Sequence, residues 1–399
     1  MKPVKLNLNF PKELRTIFKI IFSVEGECRL VGGCVRDYLI NKTPSDFDIA
    51  TNLIPEVIIE IFKTAKVKVF PIGIEHGTVL VVLNEFHFEI TTLRKDVKCF
   101  GRHAEVKFTK DWKEDAARRD FTMNAMSITP SGELYDYFGG QKDLAQKKVK
   151  FVGNPTKRIN EDYLRILRYL RFLGSFGLSN IDQDSYKASI ENIQSLELIS
   201  KERIKREVIK LLASKFAKEI LIKLNNENIL HYIGLSSLTV NSELLHKIIF
   251  KINDPLVNLA ILCNLSIIQP ENKITLIKNN LQLSNKEYKE LNYLTSFNGQ
   301  KVFTNFHHYK YWYKYGKELY LRFLFVVNTI HKINQYEKYL HEVTSRDDFI
   351  FPLNGNDLQN LNIEGKAIGD AINKAKKYWH ANNNMPSKLE LIHYLKNSL

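Results

Sequence analysis

The hydrophobic pattern of this chain changes period once along its length, and that change limits the folds open to it. From Arg29 to about Asp136, short β-rich runs alternate with helical ones, and beyond about Val149 the pattern is helical throughout. A two-residue period marks strands with one buried face, whereas apolar residues three and four apart mark helices. The chain therefore reads as α+β, a mixed head followed by a long all-α region. Residues 11–24 read as a helix with Leu14, Phe18 and Ile21 on one face. Residues 29–31 lead as a strand into a glycine pair, 47–50 form a strand, and Pro55 opens a helix over 55–63. Strands at 78–83 and 86–93 flank an Asn84-Glu85 turn, and strands at 127–129 and 134–137 flank Pro130-Ser131-Gly132. Helices follow at 161–176, 184–195 and 201–212, the last with Ser200 at its N-cap.

At 399 residues the chain exceeds one ordinary domain. Lys and Arg number 58 against 44 Asp and Glu, a formal charge of +14. That excess points to a polyanionic partner, nucleic acid ahead of a membrane surface, with a generally basic soluble protein as the alternative. Cys28, Cys34, Cys99 and Cys263 form no C-x-x-C pair, which argues against a zinc site or a disulfide framework and for a reducing compartment. No apolar h-region follows the first lysines and no run of about 18 apolar residues occurs, so a soluble, cytoplasmic protein without a membrane is expected.

Asp46-Phe47-Asp48 falls on an expected strand, where alternation sends both carboxylates to one face and Phe47 to the other. Two such charges are costly together unless a cation joins them, and Mg²⁺ accepts carboxylate oxygens while sharing substrate phosphates. Glu89, opposite in face to Phe86, Phe88 and Ile90, is positioned to complete a triad for two metals. A bare D-x-D is also a common polar strand edge, and both readings stand on the residues alone. Upstream, Gly32-Gly33-Cys34-Val35-Arg36-Asp37 joins a strand to a helix-like run. Glycines let backbone N–H groups approach phosphate, and Arg36 can add charge-assisted hydrogen bonds.

Together with Asp46-Phe47-Asp48-Ile49-Ala50-Thr51, that glycine segment resembles the head motif of class II tRNA nucleotidyltransferases, the CCA-adding enzymes, and of the related bacterial poly(A) polymerases. Arg118-Arg119-Asp120-Phe121-Thr122-Met123-Asn124-Ala125 is similar to the family's second motif. Glu161-Asp162-Tyr163-Leu164-Arg165, continuing to Arg168 and Arg171-Phe172, is similar to its nucleotide-selecting motif, and Glu202-Arg203 through Glu207 to its neck-helix motif. The ordered matches span roughly residues 30–212. The resemblance implies an N-terminal helical segment (1–28), a polymerase-β-like nucleotidyltransferase head (29–150), a helical neck (151–215), a body (216–295) and a tRNA-binding tail (296–399). It implies Asp46 and Asp48 as Mg²⁺ ligands, and Glu89 as the third carboxylate. It implies Gly33, Arg36 and Arg119 as nucleotide contacts, and Asp162, Arg165, Arg168 and Arg171 as the nucleotide-binding helix.

On one helix, residues 162 and 165 are neighbours. Ionised Asp162 only accepts hydrogen bonds and Arg165 only donates. That pair fits the amino group and adjacent ring nitrogen of cytosine and of adenine, and mismatches uracil and guanine at about 1–3 kcal/mol for each unpaired group. An intrahelical Asp–Arg ion pair is the alternative. Arg171 would lie opposite Asp162 on a straight helix. Arg118 and Arg119 should diverge, with Arg119 on substrate and Arg118 structural; Asn124 is read as structural ahead of a ribose contact. Ile204, Val208, Leu211 and Leu212 form a core face, with Lys201, Lys205, Arg206 and Lys210 mostly solvated.

Three features favour CCA addition over poly(A) synthesis. Gly73-Ile74-Glu75-His76-Gly77-Thr78-Val79 is similar to the CCA-enzyme version of that stretch; residues 96–103 are similar to the loop linked to A addition, with His103 in place of an arginine; and neither a long basic tail nor a His-Asp dipeptide occurs. His307-His308 lies among aromatics and reads as packing. The implied reaction is attack of the tRNA 3′-hydroxyl on the α-phosphate of CTP or ATP, with pyrophosphate leaving. Alternatives are a poly(A) polymerase, a CC-only or A-only enzyme, and an inactive RNA-binding protein. The oligomeric state is left open.

Overall fold

The computed structural model describes residues 4–6, 8–44, 46–100, 103–236, 238, 240–266, 272–296, 305–333 and 335–398, with the backbone alone at 98–100, 103–105 and 305–307. The readings of Cys99, His103 and His307 as side chains therefore lie outside the described residues. The chain forms two compact units, Met1–Gly234 and Leu235–Leu399.

Among the described residues, ten strands lie in the first unit: β1 (Val4–Lys5), β2 (Cys28–Val31), β3 (Phe47–Thr51), β4 (Lys68–Gly73), β5 (Thr78–Leu83), β6 (Phe86–Thr92), β7 (Arg94–Phe100), β8 (His103–Phe108), β9 (Ser127–Ile128) and β10 (Glu133–Tyr135). Eight form one sheet in the order β1-β10-β9-β2-β3-β6-β5-β4, and β7 pairs with β8 as a separate hairpin. Within the large sheet β3 and β6 run parallel, and every other described pairing is antiparallel.

Alternation divides this sheet into two faces. Leu30, Phe47, Ile49, Val79, Val81, Phe88, Ile90, Ile128 and Leu134 are all buried on one of them. The helix Pro55–Thr64 packs on β4 and β5 and against the helix Lys12–Phe22. Burial of each large side chain contributes about 1.5–3 kcal/mol. The register places Arg29, Val31, Asp48, Ala50, Glu89, Thr91, Ser127 and Tyr135 on the other face. The turns behave as their residues require. Asn84 adopts φ 54° between β5 and β6, and Gly132 adopts φ 85° between β9 and β10.

One expected helix needs correction. The helix expected over 161–176 is two helices, Pro155–Glu161 and Leu164–Phe176. Asp162 is extended between them (φ −158°, ψ 108°), and its Oδ1 accepts the Leu164 N–H at 3.1 Å. A short acidic side chain that captures a helix-start N–H stabilises that break. Ser200 does occupy the N-cap position of the helix Lys201–Leu212, but its side chain makes no capping hydrogen bond. The sequence reading also passed over β4, whose apolar residues are largely exposed at the sheet edge, and the short helix Trp112–Ala117.

Leu164–Phe176 packs against Lys201–Leu212. The approach is close at Gly174, where an added Cβ would lie 2.3 Å from Ser214 Oγ and 2.8 Å from Leu211 Cδ1.

The second unit is helical. Pro255–Leu265 is apolar nearly all round and packs on Asn285–Thr295 and Lys317–His331. Lys366–Ala381 and Lys388–Lys396 close a separate core around Leu353, Leu358 and Trp379. His308 is buried, stacks on Tyr339 and shares a 2.6 Å hydrogen bond with Tyr320 Oη. Burial holds its pKa down at about 4, so it is a neutral packing group.

Gly174→Ala should destabilise the first unit by about 1–3 kcal/mol through overpacking. Gly369→Ala, at an exposed helical site with nothing within 4 Å of the new Cβ, should stabilise by roughly 0.5–1 kcal/mol. Thermal melting of the two variants should move in opposite directions.

Candidate active site

The parallel pairing of β3 with β6 sets Asp48 directly beside Glu89. Asp48 is half-buried and Glu89 exposed, both on the sheet face opposite buried Phe47, Ile49, Phe88 and Ile90. Asp46 sits one residue before β3, in a bend, so the expected strand does not itself carry both aspartates. Its charge still acts on Asp48. Burial pushes the Asp48 carboxyl above its ordinary pKa, Glu89 adds to the rise, Arg119 opposes it, and Asp46 adds further. Three acidic groups are thus concentrated at one point of the sheet.

Arg119 lies across the glycine turn from these acids. A Cβ on Gly32 would meet Arg119 Nη1 at 3.2 Å and Asp48 Oδ2 at 3.4 Å, and Gly32 holds φ +74°. The positive φ favours glycine there, and a Cβ would press on the Arg119 guanidinium, so the glycine leaves backbone and carboxylate an open approach. Arg118 and Arg119 do not diverge as expected. Both reach buried Asp115, at 2.8 Å and 3.1 Å, because residues three and four apart on a helical turn meet. Burial alone would raise the Asp115 carboxyl, but the two guanidiniums hold it below its ordinary value.

A second chain of contacts runs from the glycine turn to the helices. Arg36 bonds Asp37 Oδ1 at 2.9 Å and Asn124 Oδ1 at 2.9 Å, with Gly33 beside its Nη2. Asn124 donates to Asp120 Oδ1 at 3.1 Å, and Asp120 Oδ2 accepts from Arg168 Nε at 2.7 Å. Burial would raise Asp120, but Arg168 and its hydrogen bonds depress it. Arg171 Nε donates to Glu207 at 2.6 Å, and Arg168 Nη1 lies 4.0 Å from the same carboxylate. The expected placement of Arg171 opposite Asp162 fails because Asp162 is not on that helix. Arg168 and Arg171, three apart within Leu164–Phe176, share one flank.

The expected Asp162–Arg165 neighbourhood on one helix is likewise replaced. Asp162 Oδ2 pairs with Arg203 at 2.7 Å, and Arg165 pairs with Glu161 at 2.5 Å. Arg165 also donates to the carbonyls of Arg158 and Arg118, at 2.9 Å and 3.4 Å. The break brings Asp162 to the helix entrance, one turn from Arg165, whose backbone N–H donates to the Asp162 carbonyl at 3.0 Å.

The sequence reading gave no role to Asp115, Asp120, Glu161, Arg203 or Glu207. Asp115 and Glu161 carry a local signal, each standing four residues before the arginine it binds, Arg119 or Arg165, whereas Arg203 lies 41 residues from its partner Asp162. Asp120 and Arg168 are 48 residues apart, and no local pattern joins them.

Among the described residues no group of three or more His, Cys, Asp or Glu side chains is close enough to hold a metal alone. Two aspartates still suit Mg²⁺, which commonly takes one or two carboxylates and completes its shell with substrate phosphates and water. The mutual repulsion at Asp48 is what a cation there would relieve.

Comparison with known proteins gives a consistent set of likenesses. The family described as "Poly A polymerase head domain" matches residues 28–150, and that described as "Probable RNA and SrmB- binding site of polymerase A" matches residues 180–236. The chain is 32% identical to the mouse protein named CCA tRNA nucleotidyltransferase 1, mitochondrial, over 97% of this chain and 90% of that one. It is 42% identical to the human protein of the same name over 57% of this chain, spanning about half (53%) of the human one. The solved structure of the Bacillus stearothermophilus CCA-adding enzyme in complex with CTP matches with TM-score 0.78 and 26% identity, over 97% of each chain.

Asp48 ionised is a cost to the folded state, since its folded pKa lies above the unfolded value of about 3.9. In metal-free buffer at neutral pH, Asp48→Asn should therefore raise the melting temperature. The gain should fade as pH drops through the folded pKa. Excess Mg²⁺ with a nucleoside triphosphate should stabilise the native protein and leave the variant almost unmoved. A variant that melts lower than the native chain at neutral pH would contradict this account.

Proposed function

The chain belongs to the family of CCA-adding tRNA nucleotidyltransferases, and we propose that it adds C and A, from CTP and ATP, to the 3′ end of tRNA without a template strand, releasing pyrophosphate. The observation that carries this reading is the register that sets Asp48 against Glu89, with Asp46 and Arg119 beside them.

The proposed roles follow from placement. Asp46 and Asp48 would hold Mg²⁺, which supplies a lowered pKa for the attacking hydroxyl and charge neutralisation at the triphosphate. Glu89, beside Asp48, orients the attacking 3′-hydroxyl. The backbone at Gly32 and Gly33, with no side chain to obstruct it, lets the triphosphate approach, and Arg119 lies against the same space to receive its charge. Arg36 holds Asn124, which holds Asp120, so that the glycine turn and the helix bearing Arg168 stay in one arrangement.

Base choice is assigned to Asp162 and Arg165. Asp162 is fixed by Arg203 and the Leu164 N–H, yet a carboxylate has more lone pairs than these two bonds use. Arg165 is fixed by Glu161 and two carbonyls, and its guanidinium has more N–H groups than those three bonds consume. Pre-oriented acceptor and donor can meet the amino group and ring nitrogen of cytosine or adenine. Arg168 and Arg171, braced by Asp120 and Glu207, form the flank of that site.

The basic charge of +14 supports binding of the tRNA, gripped through charge and shape rather than base sequence. No helix among the described residues is long and apolar enough to cross a membrane. Cys28, Cys34 and Cys263 are free and buried, which fits the reducing cytoplasm.

Purified protein given a tRNA ending before its CCA should incorporate C and then A, and neither U nor G. Homopolymeric A tails on unrelated RNA would overturn the assignment in favour of poly(A) synthesis. Asp162→Ala should retain some turnover while UTP and GTP compete at least about fivefold better, the loss of one discriminating hydrogen bond. Unchanged selectivity in that variant would remove Asp162 from base choice.

A further inference from the structure

A cluster on the same sheet face as the carboxylates is used by none of the roles above. Arg29, on β2, pairs in register with Ala50 on β3, two residues from Asp48 and so about 7 Å along the strand. Its guanidinium lies between two rings, 4.0 Å from the Trp112 centroid and 3.9 Å from that of Tyr135. Nη1 also reaches Tyr137 Oη at 3.3 Å, and Trp112 Nε1 donates to Glu27 Oε2 at 3.1 Å. Arg29, Trp112, Tyr135 and Tyr137 are all only half-buried, and exposed Lys110 and Lys113 flank Trp112. One edge of Trp112 packs on Val31, Ala50 and Leu93, which ties the cluster to the strands that carry Asp48.

We propose that this ring–guanidinium–ring stack is where the unpaired 3′-terminal nucleotides of the RNA primer rest as their hydroxyl reaches Asp46 and Asp48. The inference rests on the nucleotidyl-transfer reading above. Its physical basis is independent of base choice: every base has a π-face, and single-stranded RNA is held by aromatic and guanidinium planes interleaved with basic residues. The fixed geometry matters too. Arg29 lies against both rings at contact distance, so Trp112 and Tyr135 are already held in place before RNA arrives and less rotamer entropy is lost on binding. Such a surface accepts any base at the primer end, which an enzyme that extends first the end it is given and then the C ends it has made requires.

The test compares a tRNA retaining its unpaired 3′ nucleotides with one trimmed back to the duplex, by equilibrium binding and by steady-state CTP incorporation. The native protein should bind the untrimmed tRNA more tightly. Trp112→Leu keeps apolar contact with Val31, Ala50 and Leu93 but removes the ring. It should raise KM for the untrimmed tRNA at least about fivefold, abolish the preference over trimmed tRNA, and leave KM for CTP within about twofold. Trp112→Phe should restore the preference, and Tyr135→Leu should repeat the loss should Trp112→Leu fold poorly. Retention of the native preference by both leucine variants would overturn the inference. A native protein that incorporates neither C nor A would instead overturn the reaction assigned above, so the two failures are distinct.

Discussion

The register between β3 and β6 is the constraint on which the proposed catalytic centre depends. Parallel neighbours in a sheet point the same way, so Asp48 and Glu89 cannot be separated without moving a strand. On the opposite face the same two strands bury Phe47, Ile49, Phe88 and Ile90. A one-residue slip of either strand would put its two apolar side chains in water and its carboxylate in the core. The hydrophobic core thereby holds two like charges together that repel each other, and a cation bound there would relieve that repulsion.

Arginine–carboxylate pairs extend that constraint into the helices. Asp115 gathers Arg118 and Arg119, Asp120 holds Arg168, Glu207 holds Arg171, and Asp162 and Glu161 hold Arg203 and Arg165. Half-buried pairs of this kind add little net stability over apolar packing, yet removing one partner leaves the other stranded and costs several kcal/mol. Their value here is orientation. An arginine already bonded by a carboxylate offers its remaining N–H groups in a known direction, which a base-reading or phosphate-reading group needs.

Much of this was legible in the sequence, and the reasons differ by residue. The two hairpins, the Pro55 helix and the orientation of Asp48 on β3 followed from local patterns that local physics enforces: alternation, turn residues and a proline at a helix start. Those patterns had no way to report the break at Asp162. The run from Glu161 to Phe176 has helical spacing throughout, and the extended conformation is set by a carboxylate that caps Leu164 and bonds Arg203, which lies 41 residues away. β4 was missed for a related reason: its apolar residues stay exposed at a sheet edge, so no burial period marks them.

The sequence by itself determined which side chains could do chemistry. Acids two apart beside a glycine turn, and an acid and a base near one helix start, are covalent facts that any fold must accommodate. Tertiary structure alone decided which of them meet. Glu89 joins Asp48 only because β6 inserts beside β3, and Arg171 is braced only because Glu207 arrives on another helix. Arg29 becomes a stacked plane only when Trp112 and Tyr135 close on it from two separate segments. Such meetings are settled by long-range packing, and no window of neighbouring residues contains them.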